Sequence, residues 1–246
     1  MNRVTEGQRG HTTEAQRGAE GRAGAAVAGG ARDRRALIIA ATMRLIAREG
    51  VAALSTRKIA HEAAVNLATL HALFGRKDDL LLAVLDAATS TMIAALVVDA
   101  QPGKGLRAAL VDSFAALCAL LDHGPALPLV RCEVLLYASR RPAQAAGALQ
   151  QQRYLDALQV CYRIACAEGE LGLMPCEDLA TVVSSSIDGL ALRTAAGVPV
   201  PQQAATRAHV LRGLLALVPT HPHARDQRRT DELLTILWDE DRHHES

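Results

Sequence analysis

The chain has 246 residues, of which 50% are hydrophobic and only 2% aromatic, and its formal net charge is +1. This length allows one or two domains with a good core. An excess of Ala, Leu and Arg with few β-formers predicts an all-α protein. No run of about 18 uncharged apolar residues is present, so we expect no membrane span and a cytoplasmic location.

The N-terminal residues 1–31 are rich in Gly, Ala, Arg and Glu and have almost nothing to bury. Such a composition predicts a disordered basic extension. It has arginines but no apolar core segment, so it is not a secretory signal. The first helix is then expected from about Arg32 to Glu49, with an apolar stripe at Leu37, Ala41 and Leu45.

Residues 54–74 predict two short helices joined by a tight turn. Ser55 suits the N-cap of the first because its hydroxyl can accept a hydrogen bond from a first-turn N–H. On the second, from about Leu67 to Leu73, Leu70 and Phe74 share one face while the other face is small and polar. A short helix with such a face fits the DNA major groove without steric conflict.

Four motifs follow one another through this region: Ser55-Thr-Arg-Lys-Ile-Ala, Ala63-Ala-Val65, Thr69-Leu-His-Ala-Leu-Phe74 and Lys77. In this order and spacing they resemble the DNA-binding head of the TetR family of bacterial transcriptional regulators, over about Leu37 to Leu85. The resemblance implies a three-helix head with a helix-turn-helix at 32–78. It also implies a six- to seven-helix ligand-binding and dimerisation body at 79–218.

The resemblance assigns DNA contacts to eight residues: Thr56, Arg57, Asn66, Leu67, Ala68, Thr69, His71 and Lys77. Arg57 is expected at a guanine edge or a phosphate, and Asn66 at an adenine. Thr69 is expected at a thymine methyl group or a phosphate, and Lys77 at a phosphate.

The charge distribution agrees with DNA binding by the head. Residues 1–85 hold 13 Lys and Arg against 8 Asp and Glu, whereas residues 86–246 hold 14 against 18. A basic head on an acidic body fits DNA binding confined to the head. The arginines of the leader leave two interpretations open, a solvated tail or an arm that follows the DNA.

Two positions depart from the family pattern. Ala64 replaces the turn glycine, so the turn must avoid a positive φ or accept strain. Leu73 stands where a phosphate-binding side chain is usual, and it cannot donate a hydrogen bond. These departures motivate an alternative function, a helical small-molecule-binding protein with a weakened DNA-binding head.

Six further helices are predicted in the body, at about 77–98, 106–121, 128–140, 143–168, 177–196 and 202–217. A polar tail at 219–246 follows, with a possible short helix at 231–238. The Ile187-Asp-Gly-Leu190 run resembles the bodies of TetR-family members related to the betaine-responsive repressors.

In that subgroup the last two large helices pair across a two-fold axis, which implies a homodimer that binds a near-palindromic operator. The expected interface residues are Leu179, Val183, Ile187, Leu190, Leu211, Leu214, Leu215 and Val218. Two buried core helices would show the same apolar stripes.

An effector site is expected among the helices of the body. The candidate residues are Met92, Phe114, Arg131, Leu135, Tyr137, Tyr154, Tyr162 and Ser185. Six aromatic residues in the whole chain are too few for a quaternary-ammonium cage. An aliphatic or mixed-polarity small molecule is therefore preferred to betaine.

The remaining reactive residues indicate no catalysis, cofactor or metal. The five cysteines lie in apolar helical patterns and are expected to be buried, reduced thiols, with a redox sensor as the alternative. His221, His223, His243 and His244 are expected in a solvated tail rather than a metal site. No phosphate loop, nucleophile elbow or zinc-enzyme motif is present. The predicted function is a ligand-responsive transcriptional repressor, not an enzyme.

Overall fold

A computed structural model describes residues 11–97, 101–123, 126–141, 144–166 and 175–218, with side chains from residue 30 onwards except 200 and 201. These residues form nine α-helices and one short 3-10 helix, and no strand is present among them. The helices are α1 His11–Glu49, α2 Thr56–Glu62, α3 Leu67–Phe74, α4 Lys77–Val97, α5 Leu106–Asp122, α6 Leu127–Ser139, α7 Gln144–Ala165, α8 Cys176–Ala195 and α9 Val200–Ala216. The predicted all-α fold is confirmed.

Helix α1 begins earlier than the sequence predicts. Residues 11–31 were expected to be part of a disordered extension, but they form the first turns of α1. Ala, Arg, Gln and Glu are good helix formers, so this segment can be helical although it has little to bury. Residues 1–10 lie outside the described part of the chain.

The head consists of α1, the 3-10 helix Val51–Ala53, α2 and α3. Its core is apolar and tightly closed, with Ile38, Ile59 and Leu70 at 1% exposure or less. The predicted stripe on α1 is correct at Ala41 and Leu45, which are buried, but Leu37 is 57% exposed. The apolar face of α1 is therefore rotated away from Leu37.

Helix α4 is the central element of the molecule. It packs against α1 on the head side and against α5, α6 and α7 in the body. Its first turn carries Asp78 and Asp79, which suit the positive end of the helix dipole. The buried residues of head and body form one continuous cluster through α4, so a change in the body can reach the head without crossing a flexible linker.

By length and composition alone, α4 is apolar enough to cross a membrane, and the bent pair α5–α6 passes the same test as one broken span. This qualifies the expectation that no span exists. About 44% of the relevant window of α4 is buried inside the protein. Because α4 is enclosed by other helices of the fold, we interpret it as a core helix.

The eight residues predicted for the dimer interface are instead buried within one chain. Their exposure is 4% or less at every position. Here α8 packs against α5, α6, α7 and α9, and α9 also packs against α5. A side chain covered by its own chain has no surface to offer a second copy, so the structure corrects this assignment to core packing.

The cysteines are free thiols. Cys118, Cys132 and Cys161 are buried, whereas Cys166 and Cys176 are half-buried. The sulfur atoms of Cys166 and Cys176 are 4.0 Å apart, about twice the roughly 2.05 Å length of a disulfide bond. Burial raises the pKa of both Cys118 and Cys132 to about 12, so these two remain protonated and poorly nucleophilic.

Candidate nucleic-acid interface

Side-chain caps fix the starts of α2 and α3. The Ser55 hydroxyl accepts from the Lys58 backbone N–H at 3.2 Å, which confirms the predicted N-cap. The Asn66 Oδ1 accepts from the Thr69 N–H at 2.7 Å in the same way. Bidentate pairing with adenine would need this oxygen. In this structure Asn66 therefore caps α3, and its contact with adenine stays a prediction.

The turn between α2 and α3 is a Schellman motif with alanine in the glycine position. Ala64 has φ +52°, its N–H donates to His61 O at 3.1 Å, and the Val65 N–H donates to Ala60 O at 3.0 Å. These are the two hydrogen bonds that define the motif. Of the two possibilities that the sequence left open, the turn therefore accepts the strain.

The outer surface of α2 and α3 is open to solvent. Arg57, Ala68 and His71 are exposed, and Leu67 is 36% exposed. The Arg57 guanidinium forms no hydrogen bond or ion pair with any described residue, so it is available to an anion. Thr56 and Thr69, also predicted at the interface, are half-buried at its edge.

Lys77 does not point to the surface as predicted. Its ammonium group donates to the Leu54 carbonyl at 2.9 Å and lies 5.7 Å from the centre of the Tyr137 ring. Desolvation by burial lowers the pKa of this ammonium, and the nearby Arg141 lowers it further. In this structure Lys77 therefore attaches α4 to the loop before α2, and its phosphate contact stays a prediction.

Two arginines that the sequence motifs did not single out lie beside the interface. Arg35 on α1 donates to the Leu73 carbonyl at 3.1 Å and stacks 4.3 Å from the centre of the Phe74 ring. Arg76, between α3 and α4, is exposed. Arg76 directly precedes Lys77, the lysine of the family motif. Its position next to that lysine is the sequence signal that could identify Arg76 as a DNA-contact candidate.

A network of exposed ion pairs joins α1 to α2. Glu62 accepts from Arg44 and Arg48 at 3.2 Å each, and Glu49 accepts from Lys58 at 2.8 Å. Hydrogen bonds from Arg48 and Arg44 lower the pKa of Glu62, and those from Lys58 and Arg48 lower the pKa of Glu49. The network neutralises several cations of the head and leaves Arg57 outside it.

Helix α6 attaches the body to the head. The Glu133 carboxylate accepts from the Val51 N–H at 2.7 Å, directly after Gly50, whose φ is +77°. A Cβ at position 50 would lie 3.2 Å from the same carboxylate, so glycine allows this close approach. The Tyr137 hydroxyl donates to Asp78 at 2.8 Å. Tyr137, predicted in the effector site, therefore belongs to the contact between α6 and the first turn of α4.

The other predicted effector residues differ in how deeply they are buried. Ser185 is exposed and bonds only its own helix, so the structure removes it from the body interior. Leu135 is half-buried between α6 and α7, close to Gly147. The remaining five are buried in the body at 1% exposure or less: Met92, Phe114, Arg131, Tyr154 and Tyr162.

A buried polar cluster forms around Arg131. Its guanidinium donates to Asp188 at 2.8 Å and to the Gln151 side chain, and it stacks 4.6 Å from the centre of the Tyr154 ring. Tyr162 bonds Ser113 at 3.0 Å. No group of three or more potential metal ligands occurs in the described ranges. The four C-terminal histidines lie outside those ranges.

The comparisons with known proteins agree with this geometry. Residues 38–84 match the family described as bacterial regulatory proteins, tetR family. This match covers α2, α3 and parts of α1 and α4, so the head contains the N-terminal domain of that family. No curated protein is significantly similar to the chain.

Solved structures extend the similarity to the whole described fold. A TetR-family regulator described as putative, from Rhodococcus sp., has a TM-score of 0.63 at 19% identity and covers 76% of this chain and 100% of its own. CprB from S. coelicolor A3(2) has a TM-score of 0.60 at 20% identity, and the match covers 84% of this chain and 97% of CprB. FadR from Bacillus subtilis, in complex with stearoyl-CoA, has a TM-score of 0.60 at 19% identity, and the match covers 74% of this chain and 98% of FadR. The chain therefore has the fold of TetR-family regulators. The betaine-responsive subgroup finds no support in these matches.

Proposed function

We propose that the chain is a cytoplasmic, ligand-responsive transcriptional repressor of the TetR family that binds a near-palindromic operator as a homodimer. The exposed face of α2 and α3 carries this proposal. It presents the Arg57 guanidinium, which has no partner among the described residues, next to a short helix whose outer residues, Ala68 and His71 among them, leave room for base edges. Arg76 takes the phosphate contact first expected of Lys77.

The intact turn argues against the alternative of a decayed head. Ala64 makes both hydrogen bonds of the Schellman motif although it lacks the freedom of glycine. The missing donor at Leu73 is offset in part by Arg35, which holds the end of α3 through the Leu73 carbonyl. The head therefore keeps the shape that DNA binding needs.

Ligand response is proposed to pass through α6. This helix carries Arg131 in the body interior, Glu133 two residues later against Val51 of the head, and Tyr137 against the first turn of α4. A ligand that binds two arrangements of α6 with different affinity would change the separation of the two heads. FadR, which shares the fold, is described with stearoyl-CoA bound, and this is consistent with a ligand-binding body.

For the homodimer we propose the outer face of α8 and α9 in place of the buried stripes. Ser185, Gly189 and Leu192 follow one another on this face of α8, and Leu192 is 54% exposed. On α9, Gly213 and Ala216 are exposed too. A Cβ at either glycine would meet nothing within 4 Å. Small residues let a second pair of helices approach closely.

Sedimentation of the full chain tests this face. Leu192→Glu should shift the protein towards monomer because a charge would be buried without a partner. Leu136→Glu, at a comparably exposed leucine on α6, is the matched control and should leave the dimer intact. If Leu192→Glu sediments like the wild type, this interface is wrong.

Operator binding tests the function. We would select genomic fragments with the purified full-length chain, footprint the tightest fragment, and compare Ala68→Glu with Ala119→Glu. Both alanines are exposed, but Ala119 lies on α5 in the body. We expect a near-palindromic footprint and a loss of affinity of at least about tenfold for Ala68→Glu alone. Equal binding by both variants would contradict the proposed interface.

A further inference from the structure

Four buried side-chain atoms of the body have no hydrogen-bond partner in the described part of the chain. They are Thr89 Oγ1, Arg131 Nε, Tyr154 Oη and Ser184 Oγ. All four residues are 1% exposed or less. Buried polar atoms are nearly always paired, because an unpaired one loses its bonds to water without compensation.

Three of the four atoms come from neighbouring helices at one level of the body. Arg131 on α6 stacks on the Tyr154 ring of α7 and donates to Asp188 of α8. Ser184 lies one helical turn before Asp188 on α8. The guanidinium is therefore in contact with Tyr154 and within one turn of Ser184.

The fourth atom lies at the same level on α4. Ser90 accepts from the Arg153 guanidinium at 3.1 Å, which aligns this part of α4 with α7. Thr89 immediately precedes Ser90, and Tyr154 immediately follows Arg153. Four helices thus each contribute one unpaired polar atom to a single layer, which we call the polar layer.

The chemistry of the polar layer defines what it can bind. Arg131 Nε–H can only donate, while the three hydroxyls can donate or accept. Burial raises the pKa of the Tyr154 hydroxyl, which therefore stays protonated at any physiological pH. A molecule that satisfies the layer must offer oxygen acceptors, as a carbonyl group does.

The charge balance of the polar layer and the residues beside it limit further which class of molecule the layer can bind. The positive charge of Arg131 is already matched by Asp188, so a buried anion or cation would lack a counter-charge. One turn along from the layer lie Met92 on α4 and Leu158 on α7, both fully buried and apolar. They can cover a hydrocarbon chain but offer it no hydrogen bond.

We propose that the polar layer recognises an uncharged carbonyl compound, an ester or a ketone, whose aliphatic chain lies against Met92 and Leu158. This inference rests on the proposed function only in taking the body as the effector-binding part. It adds the chemical class of the effector and the residues that select it.

The test uses three matched probes, methyl octanoate, octanoate and nonane, titrated into the full chain without DNA. Binding is read from calorimetry and from the rise in Tm that a ligand of the native state produces. We expect saturable binding of the ester, weaker binding of the carboxylate and none of the alkane. Equal or tighter binding of octanoate or nonane, or no binding of the ester, would overturn the proposal.

Conservative variants test the residues. Tyr154→Phe and Ser184→Ala each remove one unpaired hydroxyl, so each should fold with an unchanged or higher Tm yet bind methyl octanoate about tenfold more weakly. Thr42→Val is the control, since its buried hydroxyl lies in the head and donates to the Ile38 carbonyl at 2.7 Å. It should lower the Tm and leave ester binding within a factor of about two. Unchanged ester affinity in both layer variants would show that water, not the ligand, pairs these atoms.

Failure here and failure of the proposed function are distinguishable because the assay contains no DNA. If the protein binds its operator but no ester, the proposed repressor function stands and the proposal of a carbonyl effector is wrong. A protein that binds the ester through Tyr154 but binds no DNA would favour the small-molecule-binding alternative.

Discussion

Head and body use polar side chains in opposite ways. In the head, Arg57 is exposed and has no partner among the described residues, while Arg44, Arg48 and Lys58 of α1 and α2 are held in exposed ion pairs. In the body, Arg131 is fully buried, paired with Asp188 and stacked on Tyr154. Under the proposed function, the exposed cation of the head would meet a large polyanion from solvent, and the body would enclose a small molecule.

The difference also concerns how each part is stabilised. Removing an exposed charge of the head should cost little folding free energy, because solvent screens it. Removing the buried guanidinium of Arg131 in the body removes its hydrogen bonds to Asp188 and Gln151 and its contact with the Tyr154 ring together. Substitutions of exposed charges in the head should therefore change DNA binding with little effect on folding stability. Substitutions of buried charges in the body should change ligand binding and folding stability together.

The largest expected effect is that of Arg131→Leu. Loss of the buried guanidinium removes two charge-assisted hydrogen bonds, to Asp188 and Gln151, and the stacking on Tyr154, and we expect the free energy of unfolding in urea to fall by about 3 kcal/mol. Arg153→Leu is the matched control, because its ion pair with Asp86 is about half exposed on both sides; it should cost about 1 kcal/mol or less. Similar losses in the two variants would remove the contrast between buried and exposed charges.

Glu133→Ala tests the connection between the two parts. The variant leaves the Val51 N–H without its 2.7 Å acceptor, and a hydrogen bond to a charged group contributes about 2 kcal/mol. Hydrogen exchange at the Val51 amide should accelerate by a corresponding factor. The control Glu177→Ala removes an exposed carboxylate from α8. It should change neither the stability of the head nor the exchange rate of the Val51 amide. Unchanged exchange at Val51 would mean that α6 does not hold the head.

Ala64→Gly should stabilise the head by up to about 1 kcal/mol, because a left-handed alanine costs roughly 1–2 kcal/mol and glycine returns part of that as unfolded-state entropy. Ala72→Gly, at an exposed position in α3, should destabilise it by about 1 kcal/mol. Thermal unfolding of both variants checks the signs. If Ala64→Gly lowers the Tm, the result would argue against a positive φ at residue 64.

The smallest effect concerns pH. The pKa values of Glu49 and Glu62 are lowered in the folded head by hydrogen bonds from Lys58 and Arg48. Their contribution to stability is therefore present above the ordinary pKa of 4.5 and disappears as pH falls through the lowered values. Glu62→Gln should flatten this part of the pH profile of Tm. Asp33→Asn, which removes an exposed carboxylate of α1, should leave the profile unchanged.

The sequence predicted the head better than the body because the head has local signals. The cap at Ser55, the turn at Ala64 and the buried pair Leu70 and Phe74 depend on neighbours within a few residues, so spacing alone reveals them. The hydrogen bonds that Asn66 and Lys77 form within the chain could not be predicted, because a position in the motif does not show which atoms a polar group reaches.

The body offered only apolar stripes, which cannot distinguish a core from an interface. The stripes of α8 and α9 were therefore assigned to a dimer although they face the same chain. The grouping of Thr89, Arg131, Tyr154 and Ser184 was inaccessible for a related reason. It depends on how four helices are aligned with one another, and helical periodicity carries no information about that alignment.

The salt dependence of operator binding tests the central claim most directly. The wild type, Arg57→Ala and Lys77→Met would be compared over a range of salt concentrations on the selected operator. We predict that Arg57→Ala binds at least about tenfold more weakly and that Lys77→Met keeps the wild-type slope of log affinity against log salt, since its ammonium faces Leu54. Wild-type affinity in Arg57→Ala, with a slope reduced by about one in Lys77→Met, would contradict the interface described here.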